Sequence, residues 1–177
     1  GRDIRDPLSV SAPLSGPESP RRAAVITDAP QLPSHIRDHL ARAMEALQSD
    51  GWEVETAALP ELPEVNALFG RLLAPELERM VRTMGHLLSE RTRRYVLDLC
   101  WTHGAQEEEH LPDLHAERSR LTRLWSRFFR RCPVVGCPAL TCPPWPLESD
   151  LDGSRGLDLV ARATPFITPS NLLGFPS

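Results

Sequence analysis

Apolar positions along this chain fall into two kinds of run, and the contrast between them predicts most of the fold. Arg22-Ala23-Ala24-Val25-Ile26-Thr27 is short, nearly continuous and bounded by chain breakers, which predicts a buried strand. After it, Ile36, Leu40, Ala43, Met44 and Leu47 recur at helical spacing on one face. Pro33-Ser34 opens that helix, with Ser34 read as its N-cap, and Asp50-Gly51 closes it. Trp52-Glu53-Val54-Glu55-Thr56 then alternates, as a half-buried strand does. A helical crossover of this size makes the two strands parallel, with a right-handed connection. The fold class that follows is α/β, with helices packed on a sheet.

The middle of the chain reads as helix. Val65, Leu68, Phe69, Leu72, Leu73, Leu77, Met80, Val81 and Met84 trace an apolar stripe, interrupted at Pro75. A kink or break is expected near Ala74. Leu87 to Trp101 continues in a helical pattern, and His103-Gly104 reads as its stop. Glu107 to Arg131 is the longest helical pattern, burying Leu114, Leu121, Leu124, Trp125, Phe128 and Phe129. Cys132 to Cys137 is a candidate third strand, Pro143-Pro144-Trp145-Pro146 a rigid loop, and Leu157 to Ala163 a weak helix.

These pieces suit one domain of 177 residues, long enough to bury a sizeable core. Residues 1–20 form a covering segment, 21–60 the strand–helix–strand unit and 61–131 a helical region. Residues 132–177 carry the third strand, the Pro-rich loop and the end of the chain. No internal repeat is visible. The 18 prolines cluster at 7–33, 60–75 and 133–146, which marks those stretches as loops. The ending, Asn171 to Ser177, is apolar and punctuated by Gly174 and Pro176, as if a further segment followed. The chain is therefore expected to be a piece of a longer protein.

Composition removes several function classes. A net charge of −4 argues against a general nucleic-acid or anionic-membrane binder. No run of about 18 apolar residues exists, and no signal peptide is visible, so the expectation is a cytoplasmic protein. All 20 basic residues are arginine. A mechanism that needs a lysine base cannot be completed within this chain.

Cys100, Cys132, Cys137 and Cys142 include no C-x-x-C pair and are read as free or buried thiols. No Gly-x-Ser-x-Gly elbow occurs. His35 and His39 are one helical turn apart, a metal-capable spacing, but lack the H-E-x-x-H context and are read as solvent-facing. His103, His110 and His115 surround a loop and a helix start, and no metal centre is assigned to them. Glu107-Glu108-Glu109 and the basic series from Arg118 to Arg131 are read as a solvated helix whose charges oppose its dipole. Among site residues this leaves no catalytic group, no metal and no cofactor. One candidate substrate-binding residue remains, Trp145, because ligands of α/β sheets bind beyond strand ends.

The order of pieces carries a resemblance. Asp6-Pro7-Leu8-Ser9 comes first, then the strand at Arg22–Thr27. An amphipathic helix runs into Leu47, Gly51-Trp52, Val54 and Leu59-Pro60. Pro133-Val134-Val135-Gly136-Cys137-Pro138 and a Pro-rich loop follow, and the chain closes on Asn171-Leu172-Leu173-Gly174-Phe175-Pro176. The series resembles the C-terminal half of the amidase signature family. The closing N-x-x-G-x-P is its most specific element. Ser177 stands where the family usually has Ala, and Val134 to Pro138 departs from the usual Asp-x-Leu-Leu-x-Pro.

The resemblance implies a large α/β/α sandwich around a mixed sheet, with a helix-rich insert. It implies hydrolysis of carboxylic amides by a Ser–cis-Ser–Lys triad, without a cofactor. Those family residues lie upstream of the matching part, so no position here inherits a catalytic role. This segment would supply core strands and a wall of the substrate pocket, with the helices of 64–131 partly roofing it, and alone would be inactive. The implied partner is a small-molecule amide, and a homo-oligomer is compatible with it. Two other readings stay open. One is an amidotransferase-type subunit that passes ammonia onward. The other is a non-catalytic helical interaction protein using the 64–131 stripe.

Overall fold

The computed structural model describes residues 3–6, 9, 11, 15–16, 18–27, 32–104 and 110–176. The readings made for Pro7-Leu8, the His103 side chain, Glu107–Glu109 and Ser177 lie outside them. Elements follow in the order β1 (Arg22–Val25), α1 (Ser34–Ser49), β2 (Glu53–Thr56), α2 (Leu62–Met84) and α3 (Glu90–Gly104). Then come α4 (Leu111–Arg131), β3 (Val134–Gly136), α5 (Gly153–Ala163) and α6 (Thr168–Leu173).

The expected strand–helix–strand unit is present. β1 pairs in parallel with β2, Ala23 opposite Val54, and on its other side with β3, Ala23 opposite Val134. The sheet order is β2-β1-β3. The resemblance implied a mixed sheet; the three described strands are all parallel. Being central, β1 is buried on both faces, and Ala23, Ala24 and Val25 are fully inaccessible. Side chains alternate across a strand, so Val25 packs with Leu32 and Leu40 of the α1 side, and Ala24 with Phe128 and Cys132 at the end of α4. α1 thus packs on one face of this small sheet, and the end of α4 meets the other.

Gly51 explains how α1 hands over to β2. With φ +81° it takes the left-handed conformation that glycine adopts without Cβ strain. Its N–H donates to Gln48 O at 3.0 Å and that of Trp52 to Leu47 O at 3.0 Å, the paired bonds of a Schellman cap. At the other end, Ser34 is the first helical residue, not the N-cap. Pro33 holds the cap position, and no side chain caps the helix.

The largest core cluster joins α2, α4 and α6 through Val65, Leu68, Leu114, Leu121, Trp125, Leu172 and Leu173. Trp125 Nε1 donates to Pro60 O at 2.8 Å, tying α4 to the loop before α2. Its ring lies 6.0 Å from that of Phe175, centroid to centroid, so the N-x-x-G-x-P ending packs into this core. That ending also contains a helix, α6, where sequence alone showed only an apolar tail.

Three helical expectations are corrected. Of the kink or break expected near Ala74, the break does not occur; α2 runs unbroken for 23 residues with Pro75 inside it, so the expectation that the helix ending at Arg131 would be the longest is corrected, α4 having 21. An internal proline costs about 3 kcal/mol. Apolar packing on both sides of it offsets that cost, with Leu68 in the α4 core and Leu77, Met80 and Val81 against α3. The Ala74 carbonyl beside the proline also accepts a bond from the buried Cys100 thiol at 3.3 Å. Separately, α5 begins at Gly153, four residues before the expected start.

Candidate functional site

A cavity of about 280 Å³ lies between α2, α3, α5 and the start of α6. Helical periodicity builds its walls. On α2, Asn66, Phe69, Gly70, Leu73, Ala74 and Leu77 recur three and four residues apart and so share one face. Tyr95 and Leu99 of α3 are one turn apart, and Leu157, Val160 and Ala161 of α5 repeat the same spacing. Val65 and Leu68 belong to the neighbouring face of α2 and enter the core instead. Small residues at Ala67, Gly70 and Ala161 leave the space that larger side chains would fill.

The lining is apolar with few polar groups, the usual make-up of a small-molecule site. Thr164 Oγ1 donates to Val160 O at 2.8 Å and Thr168 Oγ1 to Thr164 O at 3.3 Å, so both hydroxyl protons are committed to backbone. Asn66 Oδ1 is buried and is the one described side-chain atom of its kind with no hydrogen-bond partner. Burial, and then the charge of Asp150, push the Tyr95 phenol above its ordinary pKa and keep it neutral. Among the described residues, no histidine, carboxylate or cysteine lines the space. The cavity can bind; among the described residues it holds no nucleophile paired with a base.

The loop after β3 is fastened to the end of α5 but contributes no residue to the cavity lining. Thr141 N donates to Ala163 O at 3.0 Å and Thr141 Oγ1 to Arg162 O at 2.6 Å, pinning the loop to the end of α5. Farther along, Glu148 pairs with Arg91 of α3. Trp145 lies half-buried in this loop and does not line the cavity.

The other flagged groups stand apart. His35, His39, His110 and His115 are exposed. No cluster of three or more His, Cys, Asp or Glu able to hold a metal exists among the described residues. All four cysteines are free thiols. Cys132 donates to Glu55 Oε1 at 3.2 Å, and Arg131 pairs with the same oxygen at 3.0 Å. Burial first, then that carboxylate bond, push the Cys132 thiol up, away from the thiolate a nucleophile needs. On α4, Arg118 donates to Leu172 O at 2.7 Å and Arg120 pairs with Glu64, so these arginines hold the helices together. No helix of the described residues is long and apolar enough to cross a membrane.

Sequence reasoning passed over Asn66. The available signal was a polar residue of poor helix propensity on an otherwise apolar face of α2.

No protein-family model matches the chain. It is similar to indoleacetamide hydrolase of Bradyrhizobium diazoefficiens, 27% identical over 186 residues, covering 99% of this chain and 34% of that protein. It is also similar to indoleacetamide hydrolase of Bradyrhizobium japonicum, 27% identical over 190 residues, with 98% and 39% covered. The chain thus spans between about a third and two-fifths of the length of the curated relatives it matches.

Proposed function

We propose that this chain is the C-terminal-half part of an amide hydrolase of the amidase signature type. The intact enzyme would cleave the C–N bond of a small carboxylic acid amide, water adding to the carbonyl carbon and ammonia or an amine leaving. The observation that carries the reading is similarity over 98–99% of the chain to proteins named for hydrolysing indoleacetamide. An apolar cavity suited to the non-reacting part of such an amide supports it. In this reading the chain supplies a share of the parallel sheet and a substrate-pocket wall. Trp145 belongs to that wall when the enzyme is whole. The base and nucleophile lie in the remainder, since the chain contains no lysine. The enzyme works in the cytoplasm without a cofactor.

The test is to express the uninterrupted reading frame that contains this chain, and the chain alone, and measure ammonia release from indoleacetamide and phenylacetamide. Hydrolysis by the longer product and none by the chain is the expected result. Turnover by the chain alone, sensitive to a serine-directed inhibitor, would sink the assignment of catalysis to the remainder. A longer product inert towards all aryl acetamides would sink the hydrolase reading.

A further inference from the structure

We propose that Arg91 and Glu148 form a clasp that holds α5 against α3, and that its release lets α5 and the preceding loop move off together, opening the cavity at its Tyr95 end. Which ligand enters rests on the hydrolase reading; the clasp does not.

The clasp stands in line with the cavity. Arg91, Tyr95 and Leu99 are four residues apart on one face of α3, and the last two line the space. Arg91 therefore lies one turn beyond the lining. Across from it, the turn Ser149–Leu151 is close enough to Tyr95 for the Asp150 charge to act on the phenol. Arg91 grips Glu148 twice, Nη1 donating to the carboxylate and Nη2 to the carbonyl oxygen at 3.4 Å. Among the described residues, these are the hydrogen bonds that join the loop and α5 to α3.

The loop and α5 behave as one body. Thr141 fastens the start of the loop to Arg162 and Ala163 at the end of α5. At the other end, a Cβ on Gly156 would sit 2.1 Å from the Asp150 carbonyl oxygen, so the turn cannot shift towards α5 without pushing it. A displacement of Glu148 is thus carried to Leu157, Val160 and Ala161, the α5 wall of the cavity. Two features make the clasp releasable. Glu148 has φ +65°, a left-handed backbone that is strained for a residue with a Cβ and persists only where its surroundings hold it. The side chains of Arg91 and Glu148 are 50% and 54% exposed, so dissolved ions compete with the pair.

Native-state hydrogen exchange, read by mass spectrometry on wild type, Arg91→Gln and Glu148→Gly, tests this. Glu148→Gly removes the carboxylate and also relieves the left-handed backbone, so its urea midpoint should stay near that of wild type while the clasp is lost. Amides of α5 should exchange roughly two- to fivefold faster in both variants, the range of an exposed ion pair, and those of α1 should not change. Raising sodium chloride from about 0.05 to about 1 M should speed α5 exchange in wild type and not in the variants. O-acetylation of Tyr95, the chain's one tyrosine, by N-acetylimidazole reports on the cavity itself and should quicken in step. Exchange and acetylation equal to wild type in both variants, wild-type α5 exchange that ignores salt, or an acceleration shared by α1 together with a lowered urea midpoint would each overturn the proposal. The wild-type salt response decides even if a variant does not fold. The two readings fail separately. A longer product inert towards amides leaves the clasp in place, and an α5 that ignores salt leaves the hydrolase reading in place.

Discussion

Gly156→Ala should loosen α5 and, through it, one wall of the cavity. Gly156 is buried in the first turn of α5, where the helix meets the 3-10 turn Ser149–Leu151. A Cβ at this position would lie 2.1 Å from the Asp150 carbonyl oxygen, 2.6 Å from its carbon and 3.1 Å from Ser149 O. Carbon and oxygen approach to about 3.3 Å even in favourable C–H···O contacts. The helix or the turn must therefore move by roughly 1 Å. All three obstacles are backbone, so no side chain can swing aside. Two terms compete. Alanine in place of glycine favours a helix by up to about 1 kcal/mol, less in a first turn. Overpacking costs about 1–3 kcal/mol, and the upper part of that range applies when backbone must yield. The clash wins, and a net loss of about 1–2 kcal/mol is expected. For a chain of this size that lowers Tm by roughly 2–8 °C. Urea unfolding of Gly156→Ala against wild type measures it. Ser154→Ala, exposed in the same turn, is the control and should stay within about 0.5 kcal/mol. Leu157 and Val160 follow on the same helix and line the cavity, so the same displacement reaches that wall. A Gly156→Ala chain as stable as wild type would refute the close approach of α5 to the turn.

Other outcomes follow from the same packing. Asn66→Leu, which removes an unpaired buried oxygen, should leave the ligand-free chain unchanged or more stable by up to about 1 kcal/mol in urea unfolding; a loss above that would mean the carboxamide is a structural group. Leu68→Ala should cost roughly 2–5 kcal/mol, because Leu68 is fully buried between α2 and α4, and a cost near zero would contradict that core. Burial pushes up the thiols of Cys100, Cys132 and Cys137, with the Glu78 charge adding at Cys100 and the Glu55 bond at Cys132. Above the ordinary thiol pKa of about 8.5 the unfolded chain sheds protons that the folded chain keeps, so stability falls as pH rises and is untouched by these groups below it. Urea midpoints between pH 7 and 10 check the sign; a midpoint that climbs above pH 9 would reverse it.

The strand–helix–strand unit was legible because its signals are local. A continuous apolar run, one amphipathic face and Gly51 closing the helix each lie within a few residues of what they specify. The third strand was legible for the same reason. Tertiary packing decided the rest. Pro75 carries a local instruction to break a helix, and contacts with α3 and α4, from residues 20 to 50 positions away, overrule it. The ending looked like a loose apolar tail until α6 and Phe175 met Trp125. The candidate site was the least legible part. Its walls come from helices whose sequences say only which face is apolar, not how far apart those faces stand. Asn66 is one polar residue in a helical stripe when read along the chain. In the folded chain its oxygen is buried without a hydrogen-bond partner, a state that no local pattern announces. Periodicity encodes which face turns inward; only the three-dimensional meeting of those faces decides where space, and an unmet hydrogen bond, is left.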